Sequence, residues 1–470
     1  MDRKQHSDEN HQTFFKCFDS IVNGKWVNDV AEFVGDIRAC VRGCFYRFCF
    51  KCCSNQKRRV IFSLVMAFLL SVVCYFVENQ PYNFKEKQTM FYILERSRGY
   101  SQDHADSNVC FINVSHDCQL IPIENRDIEA GNTVITDRRK LLKFLQKLEQ
   151  EKVAYQYVLM DIRFEKGDKT DVDEQLFNQI HQMRNIVFAH HSVGKSEIAP
   201  LADEVLQDKM GMSDYRKIGN KSGFSRYTYL QNKLPSMPLK MYDDLMGQET
   251  SIKQFHNLPI YFSRRHLCVN SPMLHISGNV VSCTSASAKV KSKSNQIADF
   301  DVTNSVYQDL GDAYLNSDID WKADLDHKYI VIGDFENDIH GTYKGGVPGA
   351  YITWKAFKNL LEGHHILSWS FVLLNVLGYW LILYSQVFLS EVSYLDKYKN
   401  NKKAQWILSA MRWVGSTLLM ILLTCIYYWC FNVRYNVTFP IVFISIVNIV
   451  VQNSKRYEKN TSTDVSAAAA

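Results

Sequence analysis

The sequence predicts a mixed α/β domain with a mainly parallel sheet flanked by helices, joined to an α-helical membrane domain of four spans. Two observations predict this fold class. A long polar stretch, residues 78–365, lies between uncharged apolar runs. Within that stretch, short β-rich runs alternate with helical patterns, and such alternation is typical of a parallel sheet covered by helices.

Hydrophobic periodicity places the elements of the polar stretch. Four β-rich runs predict strands at 109–114, 157–160, 186–189 and 329–332. Apolar residues at three- and four-residue spacing, together with the helix-opening dipeptide Pro348-Gly349, predict helices over 138–150, 172–184 and 350–361. Residues 200–300 are less regular, and the Ser/Lys-rich segment 284–296 predicts a loop within them.

Four apolar runs predict membrane-spanning helices, at 60–77, 366–390, 413–433 and 435–453. A bilayer core of about 30 Å requires about 20 apolar helical residues. The last run is the weakest, because Pro440 lies near its start. The first run is expected to be an uncleaved anchor, since a long polar segment precedes it and no small-residue cleavage site follows it.

Basic residues orient these spans. They are concentrated before the first run, between the second and third runs, and after the fourth. The positive-inside rule then places both termini in the cytoplasm and residues 78–365 outside the cell. The predicted cytoplasmic parts are an amphipathic, Cys-rich N-terminal region, a loop and a tail, at 1–59, 391–412 and 454–470.

Charge and motifs argue against two function classes. The formal net charge of +5 is small for 470 residues, and most of the excess flanks the spans, which is unlike a nucleic-acid-binding surface. The chain contains no H-E-x-x-H, G-x-x-x-x-G-K-[ST] or G-x-S-x-G motif. We therefore predict neither nucleic-acid binding nor an enzyme, and no cofactor.

Four of the thirteen cysteines lie in the predicted external domain, where disulfides persist. Four cysteines allow three pairings. We predict Cys110–Cys118 and Cys268–Cys283, because each of these pairs closes a short loop. Free or differently paired thiols are the alternative.

The N-terminal region contains a second group of cysteines. Cys44, Cys49 and Cys52 have the C-x4-C-x2-C spacing of some iron–sulfur ligands, but cysteine also packs as a small apolar residue. Packing among the neighbouring aromatic residues is our prediction, and a metal site is the weaker alternative. An apolar stripe from Phe14 to Phe48 predicts amphipathic helices that lie on the inner leaflet or pack against a protein.

Residues 329–367 read YIVIGDFENDIHGTYKGGVPGAYITWKAFKNLLEGHHIL. A short strand runs into a loop rich in Gly and Asp, and a helix follows that ends close to the second apolar run. Ligands of open α/β sheets bind outside the carboxyl ends of strands. The candidate ligand-binding residues are therefore Asp161, Asp334, Asp338, Thr342, Gly345 and Gly346. The alternative is a tight connector, in which Gly supplies backbone freedom and Asp caps a turn.

This segment resembles the end of CHASE2, an extracytoplasmic sensory domain of bacterial receptors. That family has a strand, then "IG", a glycine-rich loop with an acidic residue and a threonine, then "PG" and a helix that ends at a glycine before the membrane. Earlier segments resemble the family in the same order, namely YVLMDIRFE at 157–165, NIVFAHH at 185–191 and LPIYFSRR at 258–265. The resemblance covers about residues 100–365, with one span before the domain and three after it.

The resemblance implies a sensor in the bacterial inner (cytoplasmic) membrane, with a periplasmic domain that meets an unknown small-molecule or ion ligand. Family members usually continue into a cyclase or kinase, whereas only residues 454–470 follow the last predicted span here. We therefore expect a separate protein partner to supply the signalling output, with membrane lipid around the spans and homo-oligomerisation left open. The alternative function is a structural or scaffold subunit of a bacterial envelope complex.

Overall fold

The structure is a computed structural model that describes residues 56–79, 94, 108–122, 132–165, 167–190, 200–213, 226–231, 233–256, 258–274, 276, 279–282, 304–315, 320–342, 345–389, 402–431, 433 and 439–451. The predicted N-terminal amphipathic helices, Cys44, Cys49, Cys52, Cys283 and the predicted loop 284–296 lie outside these residues. The chain divides into two compact units, here called the α/β unit, which ends at Ile366, and the helical unit, which resumes at Leu367.

The elements are numbered in chain order. The strands are β1 (Val109–Asn113), β2 (Cys118–Pro122), β3 (Asn132–Thr136), β4 (Tyr157–Met160), β5 (Ile186–His190), β6 (Met210–Met212), β7 (Leu230–Gln231), β8 (Leu234–Pro235), β9 (Lys253–Gln254), β10 (Tyr261–Ser263), β11 (His266–Cys268), β12 (Asn279–Ser282), β13 (Asn304–Asp309), β14 (Tyr329–Gly333), β15 (Ile339–Thr342), β16 (Gly345–Pro348) and β17 (Ile366–Leu367). The helices are α1 (Gln56–Glu78), α2 (Arg138–Gln150), α3 (Asp173–Gln182), α4 (Pro200–Leu206), α5 (Met237–Met246), α6 (Trp321–Leu325), α7 (Gly349–Leu361), α8 (Trp369–Leu389) and α9 (Lys402–Phe431).

The α/β unit is built on a seven-stranded sheet in the order β12-β13-β1-β14-β4-β5-β6. All of its strand pairings are parallel. The central strands β4 and β14 are almost entirely buried. A strand that is covered on both faces is apolar at every position, and for this reason β4 and β14 are continuous apolar runs rather than alternating ones.

One face of the sheet is covered by α2, α3, α4 and α6. Their apolar residues join one core cluster with β1, β4, β5 and β14. These helices connect β1 to β4, β4 to β5, β5 to β6 and β13 to β14, so every connection moves across the sheet in the same direction. Because parallel connections are right-handed, helices that move in one direction must lie on one face.

The opposite face is covered by α5 and α7, which pack against β1, β4, β5 and β14 in a second core cluster. Helix α7 lies close to the sheet at its start, since a Cβ added to Gly333 would be 2.5 Å from Cβ of Ala350. A glycine at the end of β14 therefore permits the start of α7 to lie directly over β14. A four-stranded sheet, β17-β11-β10-β9, completes the unit.

The predicted fold of the α/β unit is confirmed. The predicted helix 138–150 and the predicted strand 157–160 agree with α2 and β4 at both ends, and the other predicted elements agree within two residues. Helix α2 begins where Asp137 accepts hydrogen bonds from N–H of Arg139 and Lys140, at 3.0 and 3.1 Å. Such a cap satisfies N–H groups that have no partner inside the helix.

The predicted Cys110–Cys118 disulfide is wrong, because Cys118 is a free thiol. Cys110 is buried in the core under the helices, with Sγ 2.9 Å from the Tyr314 hydroxyl. Cys118 is exposed at the start of β2, where its Sγ contacts the Ser115 carbonyl oxygen. The two cysteines are close in sequence, but β1 directs Cys110 into the core, whereas Cys118 begins the exposed strand β2. The predicted Cys268–Cys283 disulfide is not supported either, because Cys268 is a buried thiol and not part of a disulfide, while Cys283 lies outside the described residues.

The helical unit contains the predicted spans. Of the described residues, the stretch Lys57–Glu78 is long and apolar enough to cross a membrane, and shorter apolar helices lie at Trp369–Ser385, Thr417–Phe431 and Phe439–Val451. Helices α1 and α8 contact each other, with Trp380 Nε1 donating a hydrogen bond to Ser63 Oγ at 3.0 Å. Large apolar side chains nevertheless face outward on α1, α8 and α9. One span is thus supported by length and composition, and the other three stay predictions.

Candidate functional site

The carboxyl ends of four adjacent strands bring polar side chains to one edge of the sheet. β13 ends in Asp309, β1 in Asn113, and Asp334 and Asp161 follow β14 and β4 directly. Because the strands are parallel and neighbours, these residues share one edge, which is where open α/β sheets bind ligands. The loop after β14 adds further carboxylates to that edge.

Asp334 holds this loop in place. Its Oδ1 accepts hydrogen bonds from the Ser115 hydroxyl at 2.5 Å and from N–H of Glu336 and Asn337 at 3.0 and 2.7 Å. Burial raises the pKa of Asp334, but these hydrogen bonds outweigh burial and bring the pKa below its ordinary value. Asp334, a predicted ligand residue, is therefore an ionised loop cap whose Oδ1 is already in use.

Asp161 and Asp338 form the centre of the candidate site, together with His340. Burial raises the pKa of Asp161 from its ordinary 3.8 to about 7; the Asp338 carboxylate raises it as well, while Arg163 and His340 oppose the rise. Asp338 Oδ1 lies 3.1 Å from Nε2 of His340. Two carboxylates that repel each other in a half-buried setting are stabilised by a shared proton or by a cation.

The first residue of α7 lies directly against this group. A Cβ added to Gly349 would overlap the Asp338 carboxylate and would come within 3.1 Å of Nε2 of His340. The Gly349 N–H also donates a hydrogen bond to the Asp338 carbonyl oxygen at 2.9 Å. The Asp338 carboxylate therefore lies at the N-terminus of α7, where the helix carries partial positive charge. We call Asp161, Asp338 and His340 the Asp161 site.

The β15–β16 hairpin places the remaining predicted residues. His340 pairs with Val347 and Thr342 pairs with Gly345, so these two pairs lie on the same face of the hairpin. Val347 and Thr342 are buried, which identifies this face as the inner one. The structure therefore brings Asp161 and Asp338 together and places Thr342 and Gly345 on the hairpin face that carries His340.

Gly346 lies on the other face of the hairpin. It pairs with Gly341, and a Cβ at Gly346 would lie 2.8 Å from Cγ2 of Ile339. A glycine suits this position because the Ile339 side chain occupies the space beside it. Gly346 therefore has a packing role, and its predicted role in ligand binding stays a prediction.

A second group at the same edge was missed by the sequence analysis. Donor atoms of His116, Asp309 and Glu336 lie within 4.8 Å of one another and could hold a metal ion. Glu336 Oε1 accepts a hydrogen bond from the Tyr307 hydroxyl at 2.8 Å, and Asp309 Oδ1 accepts one from Asn113 Nδ2 at 2.6 Å. Imidazole with carboxylates is a common ligand set for divalent transition metals. The three residues are far apart in sequence, and the placement of β13 and β14 on either side of β1 brings them together.

The sequence was compared with known protein families. The family model for the CHASE2 domain matches residues 76–390, which is more than half of the chain. The chain belongs to the CHASE2 family. CHASE2 domains are extracytoplasmic sensory domains, so the predicted resemblance is confirmed and the family supports a sensor role. No curated protein and no solved structure matches the chain.

The CHASE2 match includes every element of the Asp161 site. The segment 329–367, on which the resemblance rested, forms β14, the loop with Asp338, the β15–β16 hairpin and α7. The match also extends through α8, to residue 390. The CHASE2 sequence pattern therefore describes one continuous stretch from the carboxyl edge of the sheet to an apolar helix.

Proposed function

We propose that this protein is a non-enzymatic receptor subunit of the bacterial cytoplasmic membrane. Its CHASE2 domain binds a small molecule or ion outside the cell, and a separate protein partner supplies the output. The observation that carries the proposal is the position of α7. It begins against Asp338 at Gly349, ends at Leu361, and is followed after a short segment by the uncharged apolar helix α8.

The ligand acts at the Asp161 site. A cation, or a ligand with a positively charged group, relieves the repulsion between Asp161 and Asp338 and takes the place of the proton that Asp161 otherwise holds. Binding shifts the receptor between two states only if the ligand has different affinities for them. The contact between Asp338 and the first residue of α7 gives such a difference, because moving the carboxylate moves the helix start.

The membrane part of the proposal has four spans with both termini in the cytoplasm. Apolar side chains that are exposed on the helical unit support lipid contact, including Ile61, Phe68, Leu373, Leu381, Leu418 and Leu422. Cysteine-accessibility labelling in spheroplasts tests the orientation. In a variant whose native cysteines are replaced by Ser, labels that do not cross the membrane should modify an engineered cysteine at Asp208, in the α/β unit, and should not modify one in the tail 454–470. The reverse pattern would invert the topology.

Ligand binding is tested on the full-length protein in detergent. Thermal unfolding, followed by tryptophan fluorescence, is measured against a panel of divalent cations, amines and metabolites. A ligand of the Asp161 site raises the unfolding temperature of the wild type and of the control Asp208→Asn, which changes an exposed carboxylate elsewhere. Asp161→Asn and Asp338→Asn abolish this rise. An equal rise in all four proteins contradicts the assignment of the site.

The partner is tested by co-purification from membranes. Deleting residues 1–55 removes the N-terminal region predicted to engage the partner, and we expect the partner to be lost. Unchanged co-purification contradicts this role of the N-terminal region. A partner that instead binds the CHASE2 domain, with no panel ligand binding at all, favours the scaffold subunit over the receptor.

A further inference from the structure

The four-stranded sheet carries a hairpin turn made of two arginines. Ser263 pairs with His266 across the hairpin, so Arg264 and Arg265 are the two turn residues, with φ angles of 48° and 67°. Left-handed backbone is unfavourable for residues with a Cβ, and two-residue hairpin turns favour Asn and Gly at these positions. Turn stability therefore does not account for arginine at either position.

This turn borders an open cleft of about 800 Å³, and three of the seven residues that line it are cations. Arg264, Arg265 and Lys253 line it, with Glu249 as the one carboxylate among the lining residues. Lys253 also interacts electrostatically with the Asp243 carboxylate. Among the described residues, no ion pair is found for Arg264 or Arg265. Two such arginines at one cleft attract an anionic partner.

Exposed apolar side chains lie beside the cationic cleft. Phe255 and Leu258 are 48% and 50% exposed. The Phe255 ring contacts Phe262, which lines the cleft, with ring centroids 6.3 Å apart. Basic side chains next to exposed aromatic and aliphatic ones are typical of surfaces that lie in the headgroup region of a membrane.

The small sheet that carries this turn is connected to α8 along the chain. Strand β17 lies beside β11 in the small sheet, and α8 begins at Trp369, two residues after β17 ends. The sheet with the turn therefore contains the strand that leads into α8.

We infer that the β10–β11 turn docks on the outer membrane–water interface, where Arg264 and Arg265 bind the phosphates of anionic phospholipid headgroups. Guanidinium groups form paired N–H···O bonds to phosphate oxygens, and Phe255 and Leu258 enter the same headgroup layer. The inference rests on the proposed function in one respect, namely that α8 spans the membrane. Docking fixes the sheet that contains β17, the strand directly before α8.

The test uses full-length protein in nanodiscs of phosphatidylcholine, with or without phosphatidylglycerol, and measures amide hydrogen exchange of residues 253–268. We expect slower exchange in the anionic nanodiscs, by about fivefold for each arginine that contacts lipid. The Arg264→Gln/Arg265→Gln variant loses this difference. The charge-matched control Lys143→Gln/Arg184→Gln, which changes two exposed cations elsewhere in the α/β unit, retains it.

Two further arms separate the sources of phosphate and the causes of failure. Glycerol 3-phosphate added to phosphatidylcholine nanodiscs should not slow exchange; if it does, the cleft binds a soluble anion and the lipid inference is overturned. A protein that inserts into nanodiscs but exchanges equally in both lipids overturns this inference alone. A protein that does not insert contradicts the membrane part of the proposed function as well.

Discussion

Replacing Asp161 by Asn should stabilise the protein, and more so as the pH rises. Burial raises the pKa of Asp161 to about 7, so the folded protein binds a proton there that the unfolded chain, with a carboxyl pKa near 3.8, has already released. The contribution of Asp161 to stability is therefore fully present below about pH 4 and is lost as the pH rises to about 7. Asn is neutral at every pH and has nearly the same shape.

The magnitude follows from the same pKa values. A pKa that moves from 3.8 to about 7 corresponds to about 4 kcal/mol of differential stability, at about 1.4 kcal/mol for each tenfold change in the dissociation constant. Part of Asp161 reaches solvent, which screens its charge, so about 2 kcal/mol is the smallest gain we expect at pH 8. At pH 4 the gain should be below about 1 kcal/mol, since the folded protein still holds the proton and the unfolded chain, with a carboxyl pKa of 3.8, has released only part of it.

Thermal unfolding of the full-length protein in detergent at several pH values measures this gain. For a domain of this size, 1 kcal/mol shifts the unfolding temperature by about 2–4 °C, so Asp161→Asn should unfold at least about 4 °C above wild type at pH 8. Asp208→Asn is the matched control and should follow the wild type throughout. A gain that is equal at pH 4 and pH 8, or a lower unfolding temperature at pH 8, would refute the raised pKa.

Three further predictions concern the α/β unit. Asp173→Ala should cost about 3–5 kcal/mol in denaturant unfolding, because it leaves the Arg138 guanidinium, 2.7 Å from Asp173 Oδ2, buried and unpaired. Asp171→Ala breaks an exposed pair and should cost less than about 1 kcal/mol. Gly349→Ala should destabilise by about 1–3 kcal/mol through overlap with a carboxylate, whereas Gly341→Ala, with open space around its Cβ, should change little. Burial lowers the pKa of His365 from 6.5 to about 4, so stability falls as the pH drops below about 6.5. Leu has no such group, so the stability of His365→Leu relative to wild type should be about 2 kcal/mol higher at pH 5 than at pH 8. An equal loss of stability in both proteins on going from pH 8 to pH 5 would contradict this.

The parts of the fold that were predictable are those with a local signal. Helix α2 has a capping aspartate and an apolar stripe at helical spacing, and β4 is a short apolar run that ends at Asp161. Both were predicted to the residue. The small strands β9, β10 and β11 were not predicted, because strands of two or three residues carry almost no period and are fixed by the neighbours they pair with.

The residues of the candidate site likewise include some that the sequence predicted and some that it did not. Asp161 and Asp338 were predicted, because each follows a strand and parallel strands end at one edge. His340 lies in the same quoted segment but was overlooked, since only the β15–β16 register turns it toward Asp338. Asp309 could not be predicted, because β13 has no clear apolar run. Its pairing with β1, which is distant in sequence, has no local signal. The wrong disulfide has the same cause, since sequence distance does not reveal which way a strand directs its side chains.

The geometry of α7 explains why the Asp161 site suits a sensor rather than a static fold element. Eleven of the residues of α7 are buried, and a close-packed helix moves as a unit because its contacts do not deform gradually. Its first residue touches the carboxylate of Asp338, which repels Asp161 and lies 3.1 Å from Nε2 of His340. In the proposed function, a ligand at this site changes the electrostatic environment at one end of the helix, while the other end leads in sequence to α8. If this coupling operates, Gly349→Ala, which displaces Asp338 without removing any charge, should weaken ligand binding at the Asp161 site while Gly341→Ala should not.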